Sequence, residues 1–92
     1  MRSFRLEILS PDYPFFSGEC VSLVFPTSDG MMGIQAGHSP LTASIRNGVL
    51  TFTTPNGAVR RCTVRRGMIS VSGNRARVLC ESAEELPPPD ET

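Results

Sequence analysis

The 92 residues, 39 % apolar with no tryptophan and a single tyrosine, are enough for one domain with a modest core. No apolar run approaches the roughly 18 residues of a membrane span, and the N-terminal MRSFRLEILSP alternates charge with apolar side chains instead of offering the continuous stretch of a signal peptide. The formal net charge is zero, but all nine basic residues are arginines at or before Arg77, whereas Glu81, Glu84, Glu85, Asp90 and Glu91 crowd the C-terminus, so a basic body carries an acidic tail.

The dominant period along the chain is two, the period of strands. Phe4, Leu6 and Ile8 alternate with Arg5 and Glu7, which puts apolar side chains on one face and charge on the other. Pro11 and Pro14 bracket a turn, and after Gly18 comes CVSLVF, a strand-like run that ends at Pro26. The stretch DGMMGIQAGHSPL, residues 29 to 41, holds Gly30, Gly33, Gly37 and Pro40; glycine and proline both oppose helix, so the segment reads as a turn region. Two hairpins follow. VLTFTT (49–54) and AVRRCTV (58–64) are joined around Asn56-Gly57, a strong hairpin signal because both residues tolerate positive φ. ISVS (69–72) and RARVL (75–79) are joined by Gly73-Asn74, a weaker signal of the same kind. The expected fold is all-β, a sandwich or flattened barrel of about ten strands, with at most one short helical turn at the end. That turn is expected at Ser82–Glu85, whose spacing fits a capping box, and Pro87–Pro89 stop it at once. The division expected is therefore a β-domain over 1–81 and a short acidic, proline-rich tail over 82–92.

Few residues could carry chemistry. Cys20, Cys62 and Cys80 are odd in number and have no CxxC spacing, which argues against a disulfide framework and a structural zinc site and for three buried thiols. His38 is the only histidine and the only candidate base. Ser39 follows it, but neighbours in an extended segment point opposite ways; with no nucleophile elbow and no orienting acid, His38 reads as a bracing or interface residue. The glycines at 30, 33 and 37 lead into no helix, so they cradle no phosphate, and the sequence has no lysine. No cofactor or metal is called for. Arg60, Arg61, Arg65 and Arg66 flank one strand, with Arg75 and Arg77 expected on its neighbours. A nucleic-acid-binding face is the alternative reading, weakened because aromatic side chains do not interleave with the arginines. Met31 and Met32, flanked by Gly30 and Gly33, are more informative: exposed methionines adapt their shape to a partner, and at least one is expected to face one, the alternative being that one plugs the end of the sandwich.

The order of these features resembles one family, the epsilon subunit of rotary ATP synthases, over residues 4 to about 85. Leu6-x-Ile8 and Pro11 match its opening strand, and Phe16-Ser17-Gly18-Glu19 its F-S-G-E signature. Asp29-Gly30, Gly33-Ile34 and Gly37-His38-Ser39-Pro40-Leu41 match a G-H-x-P-L signature and what leads to it. Gly48, Gly67-Met68-Ile69-Ser70-Val71 and Val78-Leu79 fall at later strands. The resemblance implies a non-catalytic rotor subunit of the central stalk that docks the gamma subunit to the membrane c-ring and couples proton transport to ATP synthesis. Asp29, Gly30, Met31, Met32, Gly33, His38, Ser39 and Pro40 would then lie at the gamma and c-ring interface. It also implies a peripheral place on the cytoplasmic face of a bacterial inner membrane, reached only through the c-ring, with no nucleic acid and no obligate homo-oligomer. Two departures stand out. Many members carry an acidic residue where this chain has Met31, which suggests an apolar contact. Most continue into two C-terminal helices that inhibit ATP hydrolysis, and here Pro87–Pro89 and the acidic end read as a natural terminus without them.

Overall fold

The structure, a computed structural model, describes residues 2–87. Ten strands pair into two five-stranded sheets. The first sheet has the order β2-β1-β9-β8-β5, built from Pro14–Cys20, Phe4–Leu9, Arg75–Leu79, Gly67–Ser72 and Leu41–Ile45. The second has the order β10-β7-β6-β3-β4, built from Ser82–Leu86, Val59–Arg65, Gly48–Thr53, Ser22–Thr27 and Gly30–Ile34. Every pairing is antiparallel except that of β1 with β9, which joins residue 5 to 75 and residue 9 to 79 in parallel.

Alternation decides which way each strand faces. Phe4, Leu6 and Ile8 of β1, Ile69 and Val71 of β8, and Ala76 and Val78 of β9 turn inward from the first sheet. Leu23 and Phe25 of β3, Leu50 and Phe52 of β6, and Cys62 and Val64 of β7 meet them from the second. No polar or charged residue is buried among the described ones, so the side chains of the core are apolar, each fully buried large one contributing roughly 1.5–3 kcal/mol. The β8–β9 hairpin turns on Gly73 and Asn74 at φ of 57° and 61°, the pair of left-handed residues that a tight two-residue hairpin needs. Cys20, Cys62 and Cys80 are free and buried, as the odd count suggested.

Three sequence expectations need correction. Ser82–Glu85 is not helical: Ser82–Leu86 forms β10, antiparallel to β7, and continues the sandwich past residue 81. One isolated helical turn before Pro87 would fix several dihedrals for a single hydrogen bond. As a strand the same residues bury Ala83 opposite Val64, and the Ala83 carbonyl accepts a bond from the Tyr13 hydroxyl at 3.1 Å. Second, β3 runs through Pro26 to Thr27. Proline has no N–H to offer, but the ladder of β3 with β6 covers only Ser22–Val24, and the Pro26 carbonyl accepts instead from Arg46 N–H at 2.9 Å. Third, residues 30–34 are a strand, β4, rather than part of a turn, because Gly30–Ile34 pair one for one with Thr27–Leu23. The remainder of the tail, residues 88–92, lies outside the described residues.

The rim where Phe16 of β2 meets Phe52 of β6 is closed by one arginine. Arg60 points inward, opposite Phe52, with its guanidinium 5.2 Å from the Phe16 ring centre and 5.3 Å from that of Phe52. The two rings are 4.6 Å apart, and Arg60 also donates two hydrogen bonds to Glu85 on β10. Arg61, facing the other way, donates to the Pro87 carbonyl at 2.9 Å.

Candidate partner interface

The residues singled out in 29–40 lie on two connected pieces of backbone. Ser28 and Asp29 form the turn between β3 and β4; Asp29 N–H donates to the Thr27 hydroxyl, which donates to the Gly30 carbonyl at 2.8 Å. Gly30 leaves the turn at φ 118°, a conformation that other residues rarely adopt. Along β4 the side chains alternate. Met31 stands on the outer face beside Pro26 and is 64 % exposed, whereas Met32, opposite Phe25, turns inward against the core. Of the two methionines it is thus Met31 that is free to meet another molecule. β4 is also the edge strand of its sheet.

His38, Ser39 and Pro40 lie in the loop from β4 to β5 and are all exposed. A turn opens this loop, with His38 N–H donating to the Gln35 carbonyl. It is pinned from the other sheet by Asn74, whose amide oxygen accepts from Gly37 N–H at 3.1 Å while its amide nitrogen donates to the Ser3 carbonyl at 2.8 Å. The His38 ring contacts the Ser39 carbonyl through Nδ1 at 2.7 Å. A carbonyl only accepts, so the proton sits on Nδ1, and the neighbouring serine engages His38 with its backbone and not its hydroxyl. Gly33 and His38 line one open hollow of about 490 Å³ together with Ser22, Val24 and Gln35. Among the described residues no three His, Cys, Asp or Glu side chains gather as a metal site.

The arginines do not form the single face that a nucleic-acid platform needs. Arg75 and Arg77 lie on β9 in the first sheet, not beside β7 as the sequence suggested. There Arg77 pairs with Glu7 at 3.1 Å and Arg5 bonds the Ser17 hydroxyl. Arg60 is turned inward onto two aromatic rings, and Arg66 faces Glu81 at 3.6 Å.

Sequence reasoning passed over a second exposed patch. Met68 of β8 and Leu79 of β9 stand directly opposite each other on the outer face of the first sheet, each about half exposed, and Leu9 pairs with Leu79 from the far side. The signal was present: both fall on the outward phase of strands whose other outward residues, Ser70, Ser72, Arg75 and Arg77, are polar.

Fold and surface together define a β-sandwich domain with exposed apolar residues on both outer faces. Residues 3–86 match the family described as ATP synthase, Delta/Epsilon chain, beta-sandwich domain. The ATP synthase epsilon chain of Chlorobium limicola is 35 % identical over 80 residues, covering 87 % of this chain and 91 % of that one. That of Afipia carboxidovorans is 38 % identical over 86 residues, covering 94 % of this chain and 62 % of the relative, so the chain spans about three-fifths of such longer members. The chain belongs to the ATP synthase epsilon family. Its fold recurs in a chain of the Euglena gracilis mitochondrial ATP synthase (OSCP/F1/c-ring) at a TM-score of 0.85 and 18 % identity, covering 90 % of this chain and 53 % of that one. It recurs again in the Tetrahymena thermophila mitochondrial ATP synthase central stalk and c-ring, at a TM-score of 0.74 and 11 % identity, covering 89 % and 66 %.

Proposed function

We propose that this chain is a non-catalytic subunit of the ATP synthase rotor that joins the gamma subunit to the c-ring and so couples proton transport to ATP synthesis. Its place is peripheral, on the cytoplasmic face of a bacterial inner membrane, and it reaches the membrane through the c-ring. The observation that carries the reading is Met31: a large apolar side chain, 64 % exposed, held out on an edge strand whose next residue is committed to the core. An apolar group that gains nothing for the fold in that position is the kind of anchor that protein interfaces bury. Family membership across residues 3–86 supports an ATP synthase as the assembly this chain joins. Gly30 and the Asp29 turn set the strand that presents Met31, Gly33 lies two residues further along it, and His38, Ser39 and Pro40 form the adjoining loop braced through Asn74.

The test is titration of the folded chain with a purified assembly of the cognate gamma subunit and c-ring. One-to-one association is expected, and Met31→Glu should weaken it at least tenfold while leaving the melting temperature within a few degrees of the parent. An assembly that ignores the parent chain would refute the reading.

A further inference from the structure

Two arginines on the outer face of the first sheet stand side by side with no carboxylate to relieve them. The parallel register of β1 with β9 sets Arg5 directly opposite Arg75, and like charges in that relation cost stability. Arg5 reaches away to the Ser17 hydroxyl at 2.6 Å, a neutral partner. Arg75 has no ion-pair partner among the described residues. The two carboxylates of this face are engaged elsewhere: Glu7 is held by Arg77 at 3.1 Å, and Glu19 accepts from the Ser3 hydroxyl at 2.8 Å.

On its other side Arg75 borders a hollow of about 310 Å³ lined by Ser70, Ser72, Arg75 and Arg77. The antiparallel register of β8 with β9 sets these four at the corners of a rectangle, with Ser72 opposite Arg75 and Ser70 opposite Arg77. Direct cross-strand partners are about 5 Å apart, and residues two apart on one strand about 7 Å. That is the scale of a single tetrahedral oxyanion met from four sides. Every side chain on the lining is a hydrogen-bond donor, and none is acidic or apolar. Arg75 offers its whole fork, while Arg77 spends Nε and one terminal nitrogen on Glu7 and keeps the other terminal nitrogen.

We propose that Ser70, Ser72, Arg75 and Arg77 bind the phosphate group of a small solute, inorganic phosphate or a phosphomonoester. Charge and donors both select it. A dianion in the hollow supplies the counter-charge that Arg75 lacks and offsets its repulsion with Arg5. Guanidinium forks and hydroxyls are the donors that meet phosphate oxygens. A carboxylate presents only two oxygens, both in one plane, to donors at four corners, and the lining has no apolar wall for the side chain that would carry it. An anionic membrane fits less well than a solute, because Glu7 and Glu19 share this face and would be pressed against its headgroups. Met31 and β4 lie on the other sheet, so the site stands apart from the rotor reading.

The experiment titrates inorganic phosphate into the folded chain at constant ionic strength and follows the backbone amide shifts of residues 70–77 by NMR. Saturable one-to-one binding centred on those residues is expected. Arg75→Gln should weaken it at least tenfold, and Arg75→Lys, which keeps the charge but loses the fork, a few-fold. Arg46→Gln makes the same change of charge at another exposed arginine and should stay within twofold of the parent. Ser72→Ala leaves every charge in place and should weaken binding several-fold; it carries the test if thermal unfolding shows that Arg75→Gln does not fold. The absence of a saturable shift, an equal loss in Arg46→Gln, or acetate binding as tightly as phosphate overturns the site. Cosedimentation with vesicles containing phosphatidic acid, lost in Arg75→Gln and without binding of the solute, overturns it in favour of a lipid headgroup.

Discussion

Replacing Arg60 tests how the last strand is fastened to the sandwich. Its guanidinium lies over Phe16 and Phe52 at 5.2 and 5.3 Å, and it also bonds Glu85 of β10. Cation–π contact at a partly exposed site contributes about 0.5–1 kcal/mol per ring. The ion pair is 35 % and 48 % exposed on its two sides, so solvent screening leaves it about 0–1 kcal/mol. Arg60→Ala removes both and uncovers the rim, and should cost about 2 kcal/mol. Glu85→Gln removes only the charge pairing and should cost about 0.5 kcal/mol. Arg60→Met keeps an apolar cover over the rings and should fall between. For a chain of this length total stability is about 5–14 kcal/mol, so the alanine variant should melt about 10 °C low. Urea unfolding of the three variants, read at constant slope, separates these values. If Glu85→Gln costs as much as Arg60→Ala, or if Arg60→Ala stays within about 0.5 kcal/mol of the parent, aromatic contact does not fasten this rim.

Gly67→Ala would put a Cβ 2.8 Å from Val64 Cγ1, deep in the core; it should destabilise by about 1–3 kcal/mol, and an unchanged unfolding midpoint would contradict that crowding. Burial pushes the Cys62 thiol up to about 12 from an ordinary 9.0. Below pH 9 the thiol is neutral folded and unfolded; as pH rises from 9 to 12 the unfolded chain ionises first, so stability falls across that window. The Cys62 share of the fall is about 1.4 kcal/mol per pH unit and about 4 kcal/mol at most, and Cys62→Ala should remove that share in a series of urea titrations, leaving what the buried thiols of Cys20 and Cys80, also pushed up by burial, contribute. Met32→Glu, unlike Met31→Glu, forces a carboxylate against the core and should lower the melting temperature by at least about 10 °C in a calorimetric scan; equal effects at the two positions would refute their opposite facing.

Most of the architecture was legible because it rests on local pattern. Phe4, Leu6 and Ile8 alternate cleanly, and the Asn56-Gly57 and Gly73-Asn74 pairs name their hairpins. Where sequence reasoning failed, pairing partners distant in the chain decided the outcome. Ser82–Glu85 has a helical signature, but the free edge of β7 was available, and a ladder of backbone bonds plus the burial of Ala83 outweighs one cap. Gly30–Ile34 looked like a turn because it contains two glycines, yet Ser22–Thr27 gave it a partner. The same limit applied to the surface. Composition could say that Met31 and Met32 were unusual neighbours, but only the pleat says which one faces out. Arg75 and Arg77 were assigned to the wrong sheet because the crossover that sends β9 beside β1 leaves no mark in the residues themselves.

The parallel pairing of β1 with β9 governs when this fold can exist. Residues 5–9 leave the ribosome about 70 residues ahead of one of their two neighbours, residues 75–79. Until then β1 has β2 alone, its inward face of Phe4, Leu6 and Ile8 has no finished second layer, and half its backbone bonds wait for an absent strand. At about 5–20 residues per second, synthesis leaves that opening segment unsheltered for several seconds. Contacts this distant along the chain also place the domain among the slower two-state folders, those that take milliseconds to seconds. The nascent chain is thus a strand waiting for its mate, and chaperone protection would matter most before residue 79 emerges.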